Sequence, residues 1–286
     1  MRFLAFDQNG ASGLAAVDDN GALNGLPAGH GAPTDLSALI AAGPEALAQA
    51  HARLRQAPAI DPASIRVLPP LPAPGKIICI GLNYADHSAE SGFAVPTYPT
   101  VFARFASGLI GHGAPILVPR QSAQLDFEGE VVAVIGHGGR NIPRAEALEH
   151  VAGYSIFNDG SIRDYQFKSP QWTVGKNFDD TGAFGPYFVT ADALPPGAAG
   201  LRIQTRLNGE VVQSASTSDM IFDVATLVAT LSEAMALCPG DIIVTGTPAG
   251  VGLARKPPLW MVAGDVCEVE VEGLGILRNP IGAAAA

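Results

Sequence analysis

Short apolar segments of strand-like composition recur from Lys76 onward, and they constrain the fold more than any other feature of the chain. Their spacing is uneven and helical patterns between them are few, which argues against regular βαβ winding. The pattern therefore predicts an α+β, mostly β fold. The main strand candidates are KIICIGL, PILVP, EVVAVIG, GYSIFND, LRIQTRL, EVVQSAS, DIIVTGT and VCEVEVEG.

The first part of the chain has a different pattern and predicts a small α/β unit. MRFLAF and GLAAVDD resemble two short strands, and an Ala-rich helical segment is expected from Asp35 to Arg55. The stretch VLPPLPAPGK, residues 67–76, is rich in proline and predicts a linker. We therefore expect a small N-terminal domain over residues 1–70 and a larger domain over residues 71–286. In the larger domain, an amphipathic helix is expected within 219–237, with Ser218 as its N-cap.

Composition and charge exclude several classes of protein. Hydrophobic residues make up 48% of the chain and charged residues 15%, as in a compact globular protein. The net charge of −10 repels phosphate backbones, so no nucleic-acid partner is expected. No apolar run is long enough for a membrane span, and the N-terminus does not resemble a signal peptide. Cys79, Cys238 and Cys267 are widely spaced and predict buried, reduced thiols of a cytoplasmic protein.

The stretch LDFEGEVVAVIG, residues 125–136, brings acidic side chains into a strand that leads to the core. On a strand Glu128 and Glu130 face the same way, about 7 Å apart, with Asp126 in the same row. A second apolar strand ends at Asp159. A solvated strand face would explain the glutamates alone. Together with Asp159 they could instead form an all-oxygen site for Mg²⁺, Mn²⁺ or Ca²⁺.

Other polar residues lie in segments that could complete a catalytic site. His87 and Glu90 are three residues apart, so on a helix the glutamate could orient the imidazole as a general base, although a surface pair fits as well. Lys176 is either an exposed turn residue or a cation for a developing enolate. Thr247 lies in a glycine-rich turn whose backbone N–H groups could hold an anion. Neither a Walker loop nor a dinucleotide fingerprint is present.

Taken together, these segments resemble the fumarylacetoacetate hydrolase family. The resemblance extends over nearly all of residues 75–282, with the matching pieces in the family's order. They are IGLNYADHSAESG, PTVFARFASGLIGHGAPI, DFEGEVVAVIG, GYSIFNDGSIRDYQ, WTVGKNF, NGEVVQSASTSDMIF and PGDIIVTGTPAGVG. The fold that it implies is a rolled mixed β-sandwich, commonly a homodimer, preceded by a small variable N-terminal domain.

The resemblance also implies roles for individual residues. By the family pattern, Glu128, Glu130 and Asp159 bind a divalent ion, usually Mg²⁺ or Mn²⁺, and His87 with Glu90 forms a water-activating dyad on a lid. Lys176 matches the active-site lysine. Gln166 and Thr247 match substrate contacts, and Arg104 stands where many relatives have lysine, which suggests a further contact to the substrate. Arg163 is expected to support the structure, and Asp126 has no firm family role.

The implied reaction is metal-dependent hydrolysis of a C–C bond in a 2,4-diketo acid of the acylpyruvate type. It would give pyruvate, or another 2-keto acid, and a carboxylic acid. Decarboxylation of oxaloacetate-like acids, isomerisation of hydroxymuconate-type acids and dehydration use the same metal–enolate site and remain alternatives. A metal-stabilised binding protein without turnover is a rival of another class, which the presence of ligands, dyad and lysine disfavours.

Overall fold

The structure is a computed structural model that describes residues 1–27, 35–90 and 95–284, with the backbone alone for residues 87–89. Within this part of the chain, five α-helices and nineteen strands are present. None of the described helices is both long and apolar enough to cross a membrane.

The α-helices are α1 (Leu36–Ala42), α2 (Pro44–Leu54), α3 (Ala85–Glu90), α4 (Arg163–Gln166) and α5 (Val224–Ala234). The strands are β1 (Arg2–Gln8), β2 (Ala11–Val17), β3 (Leu23–Pro27), β4 (Ala59–Ile60), β5 (Arg66–Val67), β6 (Ile77–Gly81), β7 (Thr100–Arg104), β8 (Leu109–Ile110), β9 (Ile116–Val118), β10 (Leu125–Asp126), β11 (Gly129–Ile135), β12 (Val151–Asp159), β13 (Ser161–Ile162), β14 (Gly182–Thr190), β15 (Arg202–Leu207), β16 (Glu210–Ser216), β17 (Ile242–Val244), β18 (Val266–Val271) and β19 (Gly275–Ala283). Short 3₁₀ turns occupy Pro62–Ser64, Ala106–Gly108, Ala147–His150, Ala191–Ala193, Pro196–Ala198, Thr217–Asp219 and Gly252–Ala254.

Two large sheets form the body of the protein, and the predicted mostly β fold is confirmed. The larger sheet has the strand order β4-β3-β2-β1-β14-β12-β11-β17-β6-β7, with β5 paired to β1 and β8 paired to β14. The smaller sheet has the order β16-β15-β18-β19-β9, and β10 pairs separately with β13. Most neighbours are antiparallel, but β17 and β6 are parallel, so the larger sheet is mixed.

The centre of the larger sheet is buried on both faces, which explains the continuous apolar run of β11. Val131, Ala133 and Ile135 belong to one core, which also contains residues of β15, β18, β19 and α5. Val132 and Val134 belong to the other core, which contains residues of α1 and α2. Because side chains alternate across a strand, a strand covered on both sides needs apolar residues at every position.

The larger sheet curls, because the chain beyond its edge strand returns to its middle. Strand β7 forms the edge beside β6, and β8 follows in the sequence and pairs in parallel with β14. The chain between them therefore passes from the edge of the sheet back to its middle. This crossing brings Arg104, the last residue of β7, next to the end of β12.

The N-terminal strands continue the larger sheet. Arg2 and Phe3 of β1 pair with Val189 and Phe188 of β14. The division at residue 70 stays a prediction, since one sheet extends across it. The helical segment expected from Asp35 to Arg55 is confirmed, but it is divided into α1 and α2, because Gly43 ends α1 with a positive φ of 97° and Pro44 begins α2.

Two further expectations need correction. Helix α5 begins at Val224 with Asp223 as its N-cap, whereas Ser218 lies in the preceding 3₁₀ turn. The Asp223 carboxylate accepts the N–H of Thr226, and such caps favour short polar side chains wherever the chain enters a helix. The thiols of Cys79 and Cys267 are buried and free, as expected, but Cys238 is exposed.

The shared core makes a prediction about Phe3. Its ring is fully buried, packs against Phe188 at a centroid distance of 6.3 Å, and lies in a core that includes Val132 and Val244 of the central strands. Replacement of Phe3 by Ala should lower the free energy of unfolding by about 3–5 kcal/mol.

Urea unfolding followed by fluorescence and by circular dichroism would measure this loss. Because the N-terminal strands share the main core, both probes should shift together in one transition. Separate transitions, with only the first affected by Phe3→Ala, would show instead that residues 1–70 are an independent unit.

Candidate metal centre

Three buried carboxylates come together where neighbouring strands of the larger sheet begin and end. Glu130 is the second residue of β11 and pairs with Phe157 of β12. The last residue of β12 is Asp159. Glu128 directly precedes β11. One oxygen from each carboxylate of Glu128, Glu130 and Asp159 lies within 4.8 Å of the others. We call this group the carboxylate triad, and it is the set that the sequence predicted.

Lys176 lies between two members of the triad. Its Nζ is 2.6 Å from Glu128 Oε2 and 2.7 Å from Asp159 Oδ2. The side chain is 1% exposed, which excludes the exposed turn lysine considered above. Gly175 makes this position possible, because a Cβ there would come within 2.3 Å of the backbone nitrogen of Gln166.

Arg163 and Asp126 support Glu128 from its other side. Arg163 Nη2 is 2.7 Å from Glu128 Oε1, and its Nε donates to Asp126 Oδ2 at 2.8 Å. Asp126 also accepts the backbone N–H groups of Gly252 and Leu253. Asp126 is thus not at a solvated strand edge: it joins Arg163 to the turn after β17.

Arg104 contacts other protein groups, and the substrate contact suggested for it stays a prediction. Its side chain has no exposed surface, and its guanidinium donates to Asp159, to the carbonyl of Gly160 at 3.1 Å and to the hydroxyl of Thr181 at 2.8 Å. It contacts Asp159 and is not among the residues that line the cavity beside the triad. Its position suits a residue that orients the carboxylate of Asp159.

The triad and its lysine perturb each other's protonation. Burial raises the pKa of Glu130 well above its usual range, and the charges of Asp159 and Glu128 raise it further. Burial by itself lowers the pKa of Lys176, but the charges of Asp159 and Glu128 outweigh burial, so that the pKa is raised. Lys176 is therefore an ammonium group at neutral pH.

The balance of buried charge fits a divalent cation. Around the triad, the described residues with buried carboxylates are Asp126, Glu128, Glu130 and Asp159, and the buried cations are Arg104, Arg163 and Lys176. With Glu130 ionised one negative charge is left over, and an unpaired buried charge is costly, in agreement with the raised pKa of Glu130. A bound divalent ion would change the net charge of these buried groups from one negative to one positive charge. That positive charge could pair with an anionic ligand. The all-oxygen donor set suits Mg²⁺ or Mn²⁺, and also Ca²⁺.

A small cavity of about 50 Å³ lies against the triad. Glu128, Glu130 and Lys176 line it, together with Gln166 and Thr247. The amide oxygen of Gln166 accepts from Arg163 at 2.8 Å, which leaves the amide nitrogen as the end that a carboxylate could meet. The predicted positions of Gln166 and Thr247 beside the metal ligands are thus both observed, while their contacts to a substrate stay predictions.

Gln213 is a component of the site that the sequence did not reveal. It lies on β16, in the smaller sheet, and its amide nitrogen donates to the hydroxyl of Thr247 and to the carbonyl of Pro248, both at 2.8 Å. Its amide oxygen accepts the N–H of Gly129 at 3.0 Å. Gln213 therefore fixes Thr247 relative to the start of β11. The only sequence signal was a polar residue in an apolar strand.

The predicted lid dyad lies on α3, which is tied to the turn after β17. Both carboxylate oxygens of Glu90 accept the N–H of Gly250, at 3.0 and 2.9 Å. The chain before α3 is anchored by Asn83, whose buried amide bonds to the carbonyls of Thr245 and Phe222. The backbone of His87 is part of α3, and its side chain lies outside the described residues.

Comparison with known proteins identifies the family. Residues 76–282 match the family described as fumarylacetoacetate (FAA) hydrolase C-terminal, which is well over half of the chain. The chain belongs to the fumarylacetoacetate hydrolase family, and the resemblance inferred from its motifs is confirmed. Members of this family are enzymes, among them hydrolases, isomerases and tautomerases.

Individual relatives differ in their reactions. The mitochondrial oxaloacetate tautomerase fahd2 of Xenopus laevis is 43% identical over 221 residues, which cover 77% of this chain and 69% of that protein. A fumarylacetoacetate hydrolase from Exiguobacterium antarcticum has a TM-score of 0.86 and 37% identity, covering 99% of this chain and all of the other. A maleylpyruvate hydrolase from Sphingobium sp. SYK-6, solved with manganese(II) and pyruvate, has a TM-score of 0.80 and 27% identity, with both chains fully covered.

The charge balance predicts the effect of Glu130→Gln. The amide oxygen can still accept the N–H of Gly246, as Glu130 does, while the repulsion with Asp159 and Glu128 is removed. Without divalent ions the variant should be at least as stable as the wild type. Mg²⁺ or Mn²⁺ should stabilise the wild type, by about 2.7 kcal/mol at a concentration 100 times the Kd, and the variant much less.

Thermal unfolding in EDTA and after addition of MgCl₂ or MnCl₂ measures both effects. The matched control is Glu210→Gln, because Glu210 is exposed on the edge strand β16. An equal shift of the melting temperature in wild type and Glu130→Gln would contradict a cation held by the triad.

The position of Arg104 predicts graded effects of its substitutions. Arg104→Met leaves Asp159 buried without its guanidinium partner and should cost about 3–5 kcal/mol of unfolding free energy. Arg104→Lys keeps the charge but cannot contact Asp159, Gly160 and Thr181 together, so the loss should be smaller, about 1–3 kcal/mol. Urea unfolding in EDTA compares the variants, and an Arg104→Met protein as stable as the wild type would be the contrary result.

Proposed function

We propose that the protein is a divalent-metal-dependent enzyme that acts through the enolate of a small 2-keto acid. Its reaction, in this proposal, is the keto–enol tautomerisation of an oxaloacetate-type acid. The observation that carries the proposal is the buried ammonium of Lys176 between two carboxylates of the triad, at the wall of the cavity. The choice of reaction is supported by the Xenopus laevis tautomerase, a relative of 43% identity.

The residues of the site suit this chemistry. Glu128, Glu130 and Asp159 would hold Mg²⁺ or Mn²⁺, which supplies positive charge that stabilises an enolate. Lys176 is kept protonated by its carboxylate neighbours, so it would act as a hydrogen-bond donor to the developing oxyanion and not as the base. Gln166 and Thr247 would orient the carboxylate of the substrate. In the tautomerisation a proton leaves C3 and a proton is added to the C2 oxygen, so no atom is gained or lost.

The proton acceptor in this proposal is His87, oriented by Glu90. The contact of Glu90 with Gly250 supports it, because Gly250 follows Thr247 in the turn that borders the cavity. Helix α3 is thereby held at that turn. A base at this place would complement Lys176, which as an ammonium group has no lone pair to accept a proton.

A second candidate is hydrolysis of a 2,4-diketo acid such as an acylpyruvate. The same Glu90 contact favours it, since a dyad held over the cavity could activate water, and the maleylpyruvate hydrolase shares the whole fold. Water would add across the bond between C3 and C4, with pyruvate and a carboxylic acid as products. Oxaloacetate decarboxylation, with loss of CO₂, would form the enolate of pyruvate at the same site, and hydroxymuconate-type isomerisation would pass through a related dienolate.

A substrate panel separates these reactions. Purified protein would be treated with EDTA, reconstituted with Mg²⁺ or Mn²⁺, and mixed with enol-oxaloacetate, acetylpyruvate and fumarylpyruvate. Accelerated loss of the enol absorbance of oxaloacetate without pyruvate formation supports the tautomerase. Pyruvate from the diketo acids supports the hydrolase, and pyruvate from oxaloacetate supports the decarboxylase. No metal-dependent turnover of any of them would contradict the proposal.

Variants assign the roles. Lys176→Met should lower kcat by about 10²- to 10³-fold, as expected for loss of an oxyanion donor. The control is Lys256→Met, because Lys256 is exposed. His87→Ala and Glu90→Gln should both lower kcat for the proton transfer. A His87→Ala enzyme as fast as the wild type would exclude the proposed base.

The remaining expectations concern partners. A small keto acid is the proposed ligand, and neither nucleic acid nor membrane is expected to bind the acidic chain. A homodimer is proposed from the family resemblance. Exposed apolar side chains beside the edge strand β7 support it, namely Tyr98 and Phe105. Light scattering during gel filtration would measure the oligomeric state.

A further inference from the structure

Trp172 lies across one side of the cavity in a position that two other residues determine. Its indole rests on Gly81, the last residue of β6, where a Cβ would come within 2.4 Å of indole Cζ3. The ring also meets Phe102 edge to face, at a centroid distance of 5.6 Å. A side chain at Gly81 would thus exclude the indole, and only glycine there lets it lie against the strand.

The backbone of Trp172 is coupled to the reactive centre. Its carbonyl accepts the N–H of Lys176 at 3.2 Å, in the turn that delivers the lysine to the triad. A movement of the Trp172 backbone that carried the indole with it would therefore also displace Lys176. A ligand that is too long for the cavity would have to rotate the ring away from Gly81 and Phe102.

A second and larger space begins on the other side of this ring. The cavity at the triad measures about 50 Å³, whereas the adjacent groove measures about 670 Å³. Leu82, Phe102, Phe167 and Trp172 line both. These apolar side chains are a partition between a small polar compartment and an open groove. The groove continues along Thr100 and Val101 to the segment 168–171.

We propose that Trp172 is a specificity-determining residue that limits the length of the 2-keto acid. The keto acid end would lie at the triad, and the indole would stop a chain attached to C3 from reaching the groove. The cavity has room for only a few water-sized groups. Removal of the indole would join the two spaces and admit longer aliphatic 2-keto acids, because the shared wall is apolar. This inference rests on the proposed function, since it concerns the ligand of the same site.

Binding of a homologous series tests the inference. Straight-chain 2-keto acids from pyruvate to 2-oxooctanoate would be titrated calorimetrically into wild type, Trp172→Phe and Trp172→Ala in the presence of Mg²⁺. In the wild type the affinity should fall as the chain lengthens. In Trp172→Ala the ratio of affinities, 2-oxooctanoate over pyruvate, should rise at least tenfold, with Trp172→Phe intermediate. A ratio between two ligands is insensitive to a general loss of folded protein.

The possible failures are distinguishable. If pyruvate binds to all of the proteins with Mg²⁺ and the ratio does not change, Trp172 does not limit the length and this inference alone is wrong. If the wild type already prefers the long acids, the inference is also wrong. If no 2-keto acid binds the wild type, both the proposed function and the inference are overturned. Should Trp172→Ala fail to fold, Trp172→Phe still gives the sign of the change.

Discussion

The pairing of Lys176 with Glu128 and Asp159 is the interaction on which the site depends. Two carboxylates from neighbouring strands are buried within reach of each other and of Glu130, and without cations their repulsion would oppose folding. Lys176 meets two of them directly, at 2.6 and 2.7 Å. Arg163 and Arg104 occupy the outer sides of Glu128 and Asp159. Among the described residues around the triad, the buried carboxylates outnumber the buried cations by one. This excess of negative charge makes the centre suitable for a divalent ion.

The surrounding structure holds these groups rigidly. Both faces of the larger sheet are covered, so the strands that end at the triad cannot shift without disturbing two cores. Asp126, Gln213 and Glu90 each bond to the segment that follows β17, from three different parts of the chain. The turn beside Thr247 is thereby fixed relative to β10, β16 and α3. Such preorganisation is what stabilisation of an enolate requires, because the charges need not rearrange during the reaction.

Local patterns predicted much of this accurately. The triad followed from acids in strands that otherwise had to be buried, and the apolar runs EVVAVIG and DIIVTGT do contain the strands β11 and β17. Errors occurred where a local signal had two equivalent readings. Ser218 and Asp223 are both good N-caps, and only packing of α5 selects the second. By its sequence alone a charged residue such as Arg104 could contact a substrate or a neighbouring carboxylate, and only the tertiary structure shows its contact with Asp159.

The sequence alone indicated the three carboxylates of the triad and a lysine for the site, since residue type and strand alternation require that buried acids find a counter-charge. It determined the family as well, through motifs that keep their order. The tertiary structure decided which groups touch: Arg104 reaches Asp159 across 55 positions, Gln213 reaches Gly129 across 84, and Gly252 reaches Asp126 across 126. The physical reason is that a hydrogen bond depends on ångström distances between side chains that sheet curvature and pairing bring together. No local pattern along the chain encodes those distances.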